Sequence, residues 1–262
     1  MRIVFLLLSI LALTTYAWAG LRTQSIEYKE GNTVLEGYLS YDDQFTGKRP
    51  GVLVAHEWTG LNDYVKMRAD MLARLGYVAF AADIYGKGVR PQTVAEASAE
   101  SSKYKNDRKL LRDRALAGLE ALKAQPNVDS SQLAAIGYCF GGTAVLELAR
   151  SGADLKGVVT FHGGLSTPAP EDAKAIKAQI LVLHGEDDPF VPPPEVATFE
   201  KEMTGANVKF RIIKYPGAVH GFTNPANKGE LKGALYNAEA DKQSWEEMHV
   251  FLDRIFKIAD VN

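Results

Sequence analysis

The sequence holds one cysteine, Cys139, in 262 residues. No disulfide can form within the chain, so a disulfide-stapled scaffold is excluded and the thiol is either an inert core residue or a working one. An excess of one charge is also missing. The formal net charge is −2, with no block of like charges, which argues against nucleic acid as a partner. No repeat, low-complexity tract or linker rich in Gly, Ser or Pro divides the chain. "HEWTG" lacks the second histidine of a zinc helix motif, and no other grouping of His, Cys and acid suggests a metal site. No metal and no cofactor are expected.

The long apolar run is confined to the start, "MRIVFLLLSILALTTYAWAG". One positive charge, an apolar core from Ile3 to Leu13 and the small-x-small site Ala17-Trp18-Ala19 form the three-part layout of a secretory signal. The core is short for a membrane span, so cleavage after Ala19 is favoured over an uncleaved anchor. The expectation is a signal peptide over 1–19 and an exported protein, periplasmic or secreted, without stable membrane association after cleavage. Monomer and small homo-oligomer are both left open.

Hydrophobic residues make up 46% of the chain, enough for a full core. "SIEYKEGNTVLEGYLSY" reads as two strands around a Gly31-Asn32 turn. "PGVLVAHE", "GYVAFAAD", "QLAAIGY", "KGVVTFHG" and "AQILVLHG" read as short strands buried on both faces, and "VKFRIIKY" alternates. Helical spacing lies between them: Asp63 to Leu75, a long region opened by Pro91, "GGTAVLELAR", Pro192 to about Met203, and Ala238 to Phe256. Alternating strand and helix imply a mostly parallel, doubly wound α/β sheet with helices on both faces. An N-terminal antiparallel hairpin precedes it, and residues 20–262 are read as one domain.

"GYCFGG" places Gly137 and Gly141 two residues either side of Cys139, after a predicted strand and before a predicted helix. A nucleophile raised on a sharp turn needs such small neighbours, and the following helix N-terminus favours thiolate. The bland reading is a buried structural cysteine in a glycine-rich loop. In the working reading, the backbone N–H of Phe140 faces the developing oxyanion, and a second N–H comes from the loop after the third strand, where Trp58 is the donor. A thiol needs a base and the base an orienting acid, in chain order nucleophile, acid, histidine. "ILVLHGEDDPFVP" offers Asp187 or Asp188, and the G-x-x-D turn favours Asp188. Of five histidines, His220 in "YPGAVHGF" follows the last strand. His56, His162, His184 and His249 are read as packing or hydrogen-bonding residues.

Five segments in order, "AHEWTGLN", "ADIYG", "GYCFGG", "HGEDDPFVP" and "GAVHGF", resemble the dienelactone hydrolase family of α/β-hydrolases. The resemblance implies Cys139 as nucleophile, His220 as general base and Asp188 as the residue holding the imidazole. It also implies that Glu57 contacts the resting thiol and takes its proton when substrate arrives, which would spare the thiol from oxidation. Family members acting on dienelactone grip the substrate carboxylate with two arginines, and the matching positions here are Lys87 and Asn224. A lysine is a point charge without the bidentate fork, and asparagine carries none. A small-molecule ester or lactone is the expected substrate, a neutral one being as open as an anionic one. Two other readings stand beside hydrolysis: a thiol-dependent acyltransferase or peptidase on the same fold, and a non-catalytic protein that binds small ligands in the cleft.

Overall fold

Side chains alternate across a strand, and in β3 (Arg49–Ala55) both sets are apolar and buried from Val52 onward. Val52 and Val54 join a cluster on one face, Leu53 and Ala55 a cluster on the other. The same split runs through β5 (Val128–Tyr138), where Ala134, Ile136 and Tyr138 oppose Leu133 and Ala135, and through β7 (Gln179–Gly185), where Leu181 and Leu183 oppose Ile180 and Val182. A strand that is apolar on both faces needs a helical layer on each.

The computed structural model describes residues 20–256; the predicted signal peptide lies outside them. One face of the sheet is covered by α1 (Asp63–Arg74) and α6 (Ala238–Phe256), through Val65, Ala69 and Leu72 and through Met248, Phe251 and Leu252. The other is covered by α2 (Val94–Asn106), α3 (Arg108–Lys123), α4 (Phe140–Arg150) and α5 (Pro193–Gly205), with Leu111, Ala115, Val145, Leu148 and Phe199 in the core. Each fully buried aliphatic side chain contributes ~1.5–3 kcal/mol relative to exposure. With the remaining strands β1 (Leu21–Glu30), β2 (Thr33–Asp42), β4 (Val78–Ala82), β6 (Gly157–Phe161) and β8 (Phe210–Tyr215), the sheet runs β1-β2-β4-β3-β5-β6-β7-β8. β1 and β2 pair antiparallel around Gly31-Asn32, β2 joins β4 antiparallel, and every other pair is parallel. No helix among the described residues is long and apolar enough to cross a membrane.

Two boundaries differ from the sequence reading. β1 starts at Leu21, four residues before the "SIEY" run, because its full length pairs with β2 in unbroken register from Leu21↔Asp42 to Glu30↔Thr33. The long helical region after Pro91 is two helices. Asp107 breaks it by capping α3, its side chain accepting from Leu110 N at 2.9 Å, while α2 opens with a capping box of Thr93 and Glu96.

Candidate active site

Strand order reverses beside β3, and the loops at the carboxyl ends of β3, β5, β7 and β8 converge there, as open α/β sheets dictate. Cys139 follows β5 directly, at φ 52° and ψ −116°, a conformation sparsely populated by any residue with a Cβ. Its backbone is pinned on both sides. Cys139 N donates to Phe161 O at 3.0 Å, and Cys139 O accepts from Gly142 N at 3.0 Å. The flanking glycines serve close approach rather than unusual dihedrals. A Cβ on Gly137 would lie 2.1 Å from Gly141 O, and one on Gly141 would lie 2.2 Å from Ala55 O. The glycines therefore let strand, turn and helix touch, and the strain falls on the cysteine itself.

His220 arrives from the loop after β8, 81 residues along the chain, with Nε2 at 3.0 Å from Cys139 Sγ. Its backbone is held by Gly233 O and Leu235 N, both at 3.1 Å. On the far side of the ring, Nδ1 lies 2.8 Å from Asp188 Oδ2. Asp188 is 3% exposed and its other oxygen accepts from Phe190 N at 2.8 Å. Its neighbour Asp187 is exposed, so the structure brings Asp188 to the imidazole. Burial alone would lower the pKa of His220, but the Cys139 sulfur and the Asp188 carboxylate outweigh it and carry it up to about 10.

The loop after β3 holds Trp58, one of the two donors expected from the sequence. Glu57 O accepts from His56 Nδ1 at 2.6 Å and from Gly60 N at 3.1 Å. In a planar trans peptide, a carbonyl held in this way aims the N–H of the same unit, that of Trp58, in the opposite direction. Trp58 O is fixed in turn by Tyr85 Oη at 2.9 Å. Phe140 opens α4, where the first N–H groups of a helix have no partner inside it.

The fully buried His56 has one tautomer open to it: Nε2 accepts from Ile84 N at 3.2 Å, so Nδ1 carries the proton it donates to Glu57 O. Burial holds its pKa down to about 4. With the folded value below the unfolded one, the unfolded chain binds the proton first. The stabilisation this neutral ring provides is full above pH ~6.5 and lost as pH falls toward ~4, on the order of 3 kcal/mol. Ring signals of His56 are expected to stay unshifted by NMR from pH ~8 to ~5.5, while the urea midpoint drops on acidification. A His56 that titrates near pH ~6.5 would contradict this.

Glu57 is 7% exposed, and burial raises its pKa. In place of the thiol contact implied by the resemblance, its Oε2 accepts from Asn224 Nδ2 at 2.6 Å, while the sulfur lies on the imidazole. Asn224 Oδ1 is taken by Ala226 N at 2.9 Å, which fixes the amide orientation. Asn224, read from the sequence as a substrate contact, is thus spent on a carboxyl 167 residues away that needs a buried donor. Lys87 likewise turns from the site. Its ammonium meets Glu27 and lies 4.0 Å from Glu36, both on the N-terminal hairpin. His184 is the penultimate residue of β7, and His249 lies on α6, 3.5 Å from Asp253. Among the described residues no cluster suited to a metal ion occurs. Two surface recesses, of about 530 Å³ against β1 and α3 and about 360 Å³ against α5, are lined by neither Cys139 nor His220.

The family profile described as "Dienelactone hydrolase family" matches residues 35–256. The chain belongs to that family. A relative from Bradyrhizobium sp., "Probable 2-oxo-3-(5-oxofuran-2-ylidene)propanoate lactonase", is 32% identical over 217 residues, 79% of this chain and 84% of its own. Among solved structures, "m3DLH" is 41% identical with a TM-score of 0.88, covering 90% of this chain and 99% of its own. A second, titled "Dienelactone Hydrolase-like Promiscuous Phospotriesterase P91 from Metagenomic Libraries", is 39% identical with a TM-score of 0.86 over the same shares. The α/β-hydrolase sheet expected from the sequence is the fold these dienelactone hydrolases share.

Two features beside the dienelactone hydrolase site carry little sequence signal. Phe190 packs edge-on against His220, ring centroids 5.2 Å apart, yet is 47% exposed. Arg68 is 3% exposed within the apolar stripe of α1. An arginine inside a hydrophobic stripe is the one cue that could have singled it out.

Proposed function

We propose that this protein hydrolyses ester or lactone bonds through Cys139, with His220 as general base and acid and Asp188 as its orienting carboxylate. The observation that carries the reading is the sulfur at 3.0 Å from an imidazole whose other nitrogen is held at 2.8 Å by a buried carboxylate. Thiolate attacks the carbonyl carbon, and the oxyanion is received by the N–H groups of Phe140 and Trp58. Collapse breaks the carbon–oxygen bond, and the His220 imidazolium gives its proton to the departing alkoxide. Water, deprotonated by His220, then attacks the thioester; the acid leaves and the thiol is restored. Export of the protein is proposed on the pattern of its leader alone.

The surroundings favour a neutral, partly apolar substrate. Lys87 is engaged by Glu27 and Glu36, Asn224 by Glu57, and Arg90 by Asp83 at 3.6 Å and by the carbonyls of Gly86 and Val89. Phe190, 47% exposed, packs edge-on against the His220 ring, and Leu235, 48% exposed, is tied to His220 by its backbone N–H. A neutral phosphotriester, the substrate type named for the 39% identical structure, asks for the same attack without an anion grip. The test is a panel of neutral aryl esters, lactones, carboxylate-bearing analogues and one phosphotriester, with an acceptor alcohol present or absent. An acyl adduct on the Cys139 peptide in acid-quenched single turnovers is expected, as is a kcat/KM at least ~10-fold higher for neutral esters than for their anionic analogues. An adduct on another side chain would overturn the nucleophile. Acyl transfer to the alcohol in preference to water would replace hydrolase by acyltransferase, and ligand binding without turnover would leave a binding protein.

A further inference from the structure

Arg68 lies under the site rather than in it. Its Nη2 donates to Thr223 O at 2.6 Å and to Asp241 Oδ1 at 2.5 Å, and its Nε donates to Tyr64 Oη at 3.3 Å. The guanidinium faces the rings of Tyr64, Tyr138 and Trp245 at 5.3, 5.5 and 5.5 Å. Thr223 is three residues beyond His220, and Tyr138 immediately precedes Cys139, so one buried cation backs both members of the pair.

Hydrogen-bond direction follows from the donor inventory. A guanidinium only donates, so Tyr64 Oη accepts from it, and the arrangement that leaves no buried hydroxyl proton unpaired has Tyr64 Oη donating to Thr223 Oγ1 at 2.6 Å. Thr223 then donates to His162 Nε2 at 2.7 Å. Nε2 of His162 is therefore the acceptor, and its ring carries its proton on Nδ1. His162 lies against His220 at 5.3 Å between centroids, in T-shaped contact, and against Phe222 at 5.1 Å. It takes a positive φ of 41° and leaves Nδ1 buried without a hydrogen-bond partner among the described residues, two costs that packing alone does not require. Burial, followed by the nearby His220, Arg68 and His184, holds it well below the ordinary histidine range. The ring beside a catalytic imidazole that must turn positive is thus fixed and uncharged.

We propose that Arg68 is a positioning residue for the Cys139–His220 pair, acting through the one-way chain Arg68→Tyr64→Thr223→His162 that fixes the His162 tautomer beneath the catalytic ring. The inference rests on the proposed hydrolase chemistry, but its first readout does not need turnover. In the full chain labelled with ¹⁵N-histidine, His162 is expected as the Nδ1–H tautomer, whereas Thr223→Val, which removes the hydroxyl and keeps the carbonyl for Arg68, shifts population to Nε2–H. The kinetic readout is a fall in kcat of ~10–100-fold in Thr223→Val and Tyr64→Phe with KM within about twofold, and a displaced acidic limb of the kcat/KM profile. The groups facing His220 that set that profile are Cys139, Asp188 and His162, with Glu57 and His184 within electrostatic reach. Thr223→Ser should restore both readouts. Arg68→Lys, which keeps the charge and loses the fork, should show the same kinetic loss. A wild-type His162 protonated on Nε2, or a folded Thr223→Val or Arg68→Lys protein with unchanged kcat and pH profile, would overturn the proposal. Absence of hydrolysis in the wild type would instead remove the catalytic reading and leave the tautomer result to decide the chain.

Discussion

Cys139→Ala is expected to lower kcat/KM for a small aryl ester by ~10⁴-fold or more, with the circular dichroism spectrum unchanged. The loss is large because the sulfur is the group that bonds to the substrate: His220 and the two N–H donors can only assist an attack that then has no attacker. The fold should survive because the turn is held by backbone contacts. Cys139 N and O bond to Phe161 O and Gly142 N at 3.0 Å each, and neither bond involves the side chain. Alanine keeps the Cβ and so keeps the strain of φ 52°. Cys139→Gly removes that strain, of order ~1–3 kcal/mol, against ~0.5–1 kcal/mol of added chain entropy. The glycine protein should therefore be as inactive as the alanine one yet melt no lower than wild type. Activity within ~10-fold of wild type in either variant would remove Cys139 from the reaction.

The parts of this site that are legible in the sequence are those encoded locally. Gly137, Cys139 and Gly141 fall within five residues, and their spacing states a strand–turn–helix whose close contacts admit no Cβ. The turn pattern favours Asp188 over Asp187, and the burial of one against the exposure of the other agrees. The illegible parts depend on pairings between distant segments. Asn224 meets Glu57 across 167 positions, and Arg68 meets Thr223 and Asp241 across 155 and 173. Periodicity places Arg68 on the same inner face of α1 as Val65, Ala69 and Leu72, but the partners that let a guanidinium be buried there, Thr223 and Asp241, lie far along the chain. Position in a motif points Lys87 toward the substrate, whereas its partners Glu27 and Glu36 belong to a hairpin whose place beside β4 only the assembled sheet reveals. The β1 start and the break at Asp107 stand between these cases. The first rests on pairing with the neighbouring β2 and the second on a local N-cap, and hydrophobic spacing weighs neither.

Asp188→Asn is expected to cost ~10³–10⁴-fold in kcat while leaving a folded protein. The number of acceptors decides this. Asp188 serves two donors at once, His220 Nδ1–H through Oδ2 at 2.8 Å and Phe190 N–H through Oδ1 at 2.8 Å. An amide of the same shape has one acceptor oxygen. If that oxygen stays with Phe190, the NH₂ faces Nδ1, which must then accept, and the ring proton moves to Nε2. An imidazole protonated on Nε2 has no lone pair toward Sγ and is unable to take the thiol proton. If the amide flips, Nδ1–H is satisfied but two donors meet at Phe190 in a buried position, at a cost of about 1–3 kcal/mol. Neither arrangement also supplies the negative charge that helps carry His220 up to about 10. The alkaline limb of the rate profile, set by loss of the proton that His220 gives to the leaving group, should accordingly move to lower pH in the variant. A kcat within ~10-fold of wild type, or an alkaline limb that does not move, would mean that Asp188 neither sets the tautomer nor stabilises the imidazolium. The acceptor count also separates this variant from Asp188→Ala: alanine leaves both donors unpaired but forces no tautomer, so Asp188→Ala should be the more active of the two at high pH and the less stable at every pH.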